Sequence, residues 1–139
     1  MPAQARPYDT VSIYSIWPPI MNAALPIEAD NKLVSIDDLI HLRTPSVYLV
    51  KVDGESMQGA GIFSGDLLVV DRLVESKSGD IIIAAVNGEA TCKRMVIREG
   101  RVVLMADNPK YPSRYILEGD QFEVWGVVTH SIRDHDRRL

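Results

Sequence analysis

The chain has 139 residues, of which 46% are hydrophobic and 24% charged, so it can bury one core and no more, since domains typically run about 100 to 150 residues. Its formal charge of -4 and isoelectric point near 5.3 argue against direct nucleic-acid binding, which needs clustered Lys and Arg to neutralise phosphates. The single cysteine, Cys92, excludes an intrachain disulfide and points to a reducing, cytoplasmic compartment, while His41, His130 and His135 lie far apart without partners at ligand spacing, so neither a metal nor a cofactor is expected.

From the start of the chain, residues 1–32 hold no sustained period of either 3.6 or 2 and contain Pro2, Pro7, Pro18, Pro19 and Pro26, which predicts an extended N-terminal arm. The run Thr10 to Ile27 carries no charge, yet its prolines would break a spanning helix and no charged n-region with an apolar h-region precedes a clean cleavage site, so membrane insertion is rejected. Val34 to Leu42 reads as a short helix with Ser35 as N-cap, Asp38 three residues on, an apolar stripe of Ile36, Leu39 and Ile40, and Pro45 as the stop. From there the pattern is strands: Val47 to Val52, Leu67 to Asp71, Ile81 to Val86, Ala90 to Ile97, Val102 to Ala106, Arg114 to Leu117 and Phe122 to Ile132. Asn87-Gly88 is a type I′ hairpin signal that makes the third and fourth of these antiparallel neighbours. The last strand is long and apolar for a chain terminus and is expected to offer an edge for self-association, the alternative being that it lies within the monomer core, and the mixed-charge tail Arg133 to Leu139 is expected to be solvated. Residues 33–139 should therefore form one mainly β domain of many short, curved antiparallel strands.

Two residues on this scaffold carry chemistry. Ser56 sits in Gly54-Glu55-Ser56-Met57, just after the first core strand, and Lys93 sits in the fourth, 93 − 56 = 37 positions on. A serine on a glycine-flanked turn and a strand lysine are the parts of a Ser-Lys peptidase, in which a neutral amine accepts the hydroxyl proton and the oxygen attacks a peptide carbonyl. Backbone N–H groups of the turn, at Gly54 and Met57, could receive an oxyanion. Alternation places Thr91, Lys93 and Met95 on one strand face and Cys92 and Arg94 on the other. At its reference pKa of about 10.4 a lysine is neutral in roughly one molecule in 2,500 at pH 7, so the role requires a pKa lower by about three, at about 4 kcal/mol, and burial is the means. Each residue alone also fits a structural role, Ser56 as a polar turn and Lys93 as a side chain snorkelling beside Arg94.

Several segments together resemble the LexA/UmuD family of self-cleaving proteins: the run Tyr48 to Met57, Gly61-Ile62, Gly65 to Asp71, Gly79 to Val86, Thr91-Cys92-Lys93-Arg94 and Trp125-Gly126-Val127-Val128, in order and spacing from about Leu25 to Ile132. The UmuD-like branch is the nearer, because only some 45 residues precede the first core strand, without the pattern of a helix-turn-helix. The resemblance implies Ser56 as nucleophile, Lys93 as general base and the protein's own arm as substrate. It further implies activation by a RecA filament on single-stranded DNA in the SOS DNA-damage response, and a truncated homodimer that serves a Y-family translesion polymerase as accessory subunit. That family cuts at Ala-Gly or Cys-Gly, and Ala23-Ala24 stands at the corresponding place, with Ala24 where glycine is usual. Two other roles fit the same motifs: a headless phage-type repressor or antagonist, and a non-catalytic dimerisation module. A type I signal peptidase shares the Ser-Lys chemistry but would need a membrane anchor.

Overall fold

The seven runs expected as strands form strands within two residues of their predicted bounds in the computed structural model, which describes residues 10–14, 27–29 and 32–136. In chain order the elements are β1 (Thr10–Tyr14), β2 (Ile27–Ala29), β3 (Lys32–Val34), α1 (Ile36–Ile40), β4 (Val47–Asp53), β5 (Leu67–Asp71), β6 (Ile81–Val86), β7 (Glu89–Arg98), β8 (Arg101–Met105), β9 (Arg114–Tyr115) and β10 (Phe122–Ile132). One antiparallel sheet runs β1-β4-β5-β10-β6-β7-β8-β9, and β2 pairs with β3 in a separate ribbon. The Asn87-Gly88 turn has φ 51° and 85° at its two residues, the positive pair a type I′ hairpin demands, and it joins β6 to β7 as antiparallel neighbours. Among the described residues no helix is long and apolar enough to cross a membrane.

Three features depart from the expectations. Within the segment read as an extended arm, β1 lies antiparallel along β4, Thr10 opposite Asp53 and Tyr14 opposite Leu49. Strands of three to five residues among prolines are too short to impose a readable period. The helix is shorter than Val34 to Leu42, because Val34 belongs to β3 and His41 turns left-handed at φ 58°. Ser35 is its cap as expected, accepting the Asp38 N–H. Its apolar stripe is not buried, since Ile36 is 53% and Leu39 56% exposed. Finally, β10 is no outer edge: it lies between β5 and β6, pairing with β6 over Phe122 to Val127 and with β5 over Val127 to Ile132.

That handover curves the sheet. The register shifts between Val124 and Gly126 and again between Val128 and His130, and such bulges bend a strand and increase its twist. Gly126 is required at the first of them, because a Cβ there would lie 2.5 Å from Val70 Cγ1 and 3.0 Å from the Asp71 carbonyl. The continuously apolar run of β6 is buried on both faces. Ile83 joins Val50, Val52, Met57, Leu68, Val70 and Cys92 in one core cluster, while Ile82 and Ala84 join Met95, Leu104 and Val127 in a second. The coiled sheet brings β1 up against β7 although four strands, β4, β5, β10 and β6, lie between them in the sheet order. It also brings the loop that follows β4 to β7.

Candidate active site

Ser56 stands in a loop between β4 and β5 that is tied at its base. Val52 and the loop's end exchange backbone hydrogen bonds, Val52 N–H to the Asp66 carbonyl at 2.9 Å and Gly65 N–H to the Val52 carbonyl at 2.8 Å. The Asp66 carboxylate is buried and accepts from the Phe63 N–H and from Arg133 Nε and Nη2 at 2.9 to 3.0 Å. Arg133 also donates to the Gly61 carbonyl and lies 4.2 Å from the Phe63 ring centroid, and the Asp66 bond raises its pKa further above the ordinary guanidinium value. So the first residue of the tail, exposed as expected, is also a strut of the serine loop. Gly54 opens the loop at φ 130°, a conformation only glycine adopts without strain, and its N–H donates to Ser64 Oγ at 3.3 Å. Met57 is buried in the core behind the turn.

This scaffold leaves Ser56 only 2% exposed and facing Lys93, which is 8% exposed. Lys93 Nζ and Ser56 Oγ are 2.7 Å apart. Lys93 is therefore not snorkelling from a solvent face. Strand alternation places its neighbours as expected, with Cys92 in one core cluster, Met95 in the other, and Arg94 turned to Asp107. The ring of Tyr111, itself nearly buried, lies 5.8 Å from Nζ and closes the amine off from bulk water. A charged amine meets this hydroxyl by donating and a neutral one by accepting; burial disfavours the charged form, and the accepting arrangement is the one that generates a nucleophile.

Sequence reasoning missed the loop between β8 and β9 that walls the pair. Asn108 Nδ2 donates to the Glu55 carbonyl at 2.9 Å, and the Asp107 carbonyl accepts the Gly59 N–H at 2.7 Å. The approach is close enough that a Cβ on Gly59 would sit 2.5 Å from that oxygen. The Asp107 carboxylate receives Arg94 Nη2 at 2.6 Å, which raises the Arg94 pKa, and Arg94 Nη1 donates to the Gly79 carbonyl. The one available signal was Asn108-Pro109-Lys110-Tyr111, a turn with proline at its second position. Among the described residues no group of three or more His, Cys, Asp or Glu could hold a metal ion. Ala23 and Ala24 lie outside the described residues.

Residues 16–129 match the family profile described as Peptidase S24-like. The MucA protein of Salmonella typhimurium is 42% identical over 96 residues, which are 68% of this chain and 65% of that protein. The LexA repressor of Bordetella pertussis is 38% identical over 100 residues, 72% of this chain and 46% of the repressor. The LexA repressor of Paracidovorax citrulli is 41% identical over 87 residues, 63% of this chain and 39% of the repressor. The matches thus span less than two thirds of MucA and under half of these repressors.

Proposed function

Because the chain belongs to the Peptidase S24-like family, of LexA/UmuD type and UmuD-like character, we propose that it is a serine peptidase that cuts its own arm, with Ser56 as nucleophile and Lys93 as general base. The observation that carries this reading is the buried 2.7 Å contact between Nζ and Oγ. Neutral Lys93 takes the Ser56 proton as Oγ attacks the carbonyl carbon of Ala23. The bond to the Ala24 nitrogen breaks, the ammonium returns its proton to that leaving amine, and residues 1–23 remain as an ester on Ser56. Water, deprotonated by Lys93, then hydrolyses the ester and frees Oγ. The Met57 N–H, next after the nucleophile, serves the oxyanion, while Gly54 shapes the turn. Tethering suits so buried a dyad, because a bond delivered by its own chain reaches high effective molarity.

The same reading assigns the biological setting. A RecA filament on single-stranded DNA stimulates the cut in the cytoplasm during the SOS response, and the shortened homodimer serves a Y-family translesion polymerase as accessory subunit. A net charge of -4 supports a role exercised through protein partners and not through DNA contact. Incubating the protein with activated RecA and weighing the product tests the proposal: cleavage between Ala23 and Ala24 leaves 139 − 23 = 116 residues. Ser56→Ala should stay whole under the same conditions while its β domain remains folded. Unchanged processing of that variant would refute the nucleophile.

A further inference from the structure

We propose that Asn108 is a positioning residue for the Ser56–Lys93 pair, fixing the peptide before the nucleophile with its side chain and building the turn that sets Tyr111 against the amine. The inference rests on the reading of that pair as the catalytic dyad. Asn108 touches neither reacting atom, yet it reaches both. Its Nδ2 donates to the Glu55 carbonyl at 2.9 Å. That carbonyl belongs to the same rigid peptide plane as the Ser56 nitrogen, so holding it sets the direction in which the Ser56 side chain leaves the backbone.

On the other side, Asn108 Oδ1 accepts the Lys110 N–H at 3.0 Å and its carbonyl accepts the Tyr111 N–H at 3.1 Å. Pro109, with its φ fixed by the ring, completes a turn that delivers Tyr111 to 5.8 Å from Lys93 Nζ. Asn108 itself has little freedom to drift. The preceding residue, Asp107, is gripped by Arg94 at 2.6 Å and holds the Gly59 N–H at 2.7 Å, three residues beyond Ser56. Arg94 is the chain neighbour of Lys93, so β7 supplies the base from one face and the anchor of the positioning loop from the other.

Asn108→Asp separates the two halves of this role. The carboxylate still accepts the Lys110 N–H and keeps the turn, but it cannot donate to the Glu55 carbonyl and places negative charge beside it. With the fold intact by its amide NMR spectrum, self-cleavage should fall at least about tenfold, as expected for a nucleophile displaced by a fraction of an ångström. The deciding readout is the titration of Lys93 followed by NMR of 13C-labelled lysine, which needs no cleavage. Among the groups set around Nζ are the Ser56 hydroxyl and the Tyr111 ring, with the Arg94–Asp107 pair on the opposite strand face. Loosening the serine alone should move the Lys93 inflection in Asn108→Asp, and loosening both the serine and the ring should move it in Asn108→Ala. An inflection unchanged from wild type in both variants overturns the positioning role, even if cleavage slows, because general loosening would slow it too. A wild-type chain that never cuts itself would instead refute the proposed function, while the Lys93 titrations still decide whether Asn108 places the pair.

Discussion

Burying an amine against a hydroxyl is costly, and here Lys93 is 8% exposed beside a serine 2% exposed. A side chain of similar length without charge should fit the same space more cheaply. Lys93→Met is therefore expected to abolish self-cleavage while unfolding at a temperature no lower than wild type, the trade between activity and stability that functional sites often show. Lys93→Arg keeps a charge that cannot be given up and should be equally inert. In wild type, unassisted cleavage should rise with pH as the amine loses its proton and then level off. Rates across neutral and alkaline pH, with thermal melts of the variants, check both. Ser56 and Lys93 were singled out in the sequence by the resemblance of several segments together, because the glycine turn and the alternating strand that hold them each also fit a structural role. Asn108 and Tyr111 were not, because their place beside the dyad comes from a loop folding back over 108 − 55 = 53 positions.

Strands followed the same rule. Those with five or more residues of period 2 or unbroken apolar character were readable, down to the Asn87-Gly88 hairpin. Strands β1, β2 and β3 were not: β2 and β3 have three residues each, and β1, though as long as β5 and β8, lies in a proline-rich segment. The central place of β10 was also hidden, since chain order says nothing of which strands a terminal strand enters between. One lock joins the hairpin to the chain before β10. Asp120 accepts the Leu117 N–H at 2.8 Å and the Asn87 side-chain amide at 3.0 Å, and Asn87 Oδ1 accepts the Gln121 N–H. These bonds, the Leu117 N–H first, then Asn87, with Arg114 adding its charge, hold the Asp120 carboxyl below its ordinary value of 3.8. A depressed carboxyl stabilises the fold above its unfolded value, and that contribution is lost as pH falls through the lower folded one. The Leu117 amide proton should therefore shift in NMR spectra only below about pH 4, the reference carboxylate range. In Asp120→Asn that shift should be absent.

At the scale of the molecule, the arm and the sheet are not separate parts. β1 belongs to the 23 residues that the proposed cut releases, and it lies along β4 from Thr10 opposite Asp53 to Tyr14 opposite Leu49, so that its start, not its end, is beside the end of β4 that leads into the Ser56 turn. While the chain is whole, tethering keeps that pairing effectively intramolecular. After cleavage it must survive as an association between two molecules. Each net hydrogen bond contributes roughly 0.5–1.5 kcal/mol, so five residues of ladder, at about 2.5–7.5 kcal/mol, reach only the lower half of an association cost of about 4–15 kcal/mol. The arm should leave, uncovering the β4 edge that β1 had satisfied, and an open edge of this kind is a template for a new strand or partner. Cleavage would thus act as a switch in which one covalent bond changes the surface of the sheet. Hydrogen exchange tests this directly: the β4 amides that face β1 should lose protection in the processed form, while those bonded to β5 keep theirs. Light scattering should find the processed form a homodimer, and co-purification should find the polymerase bound to it and not to full-length Ser56→Ala. Equal protection of β4 and equal polymerase binding in the two forms would mean that the arm is discarded without consequence, and the switch would have to be abandoned.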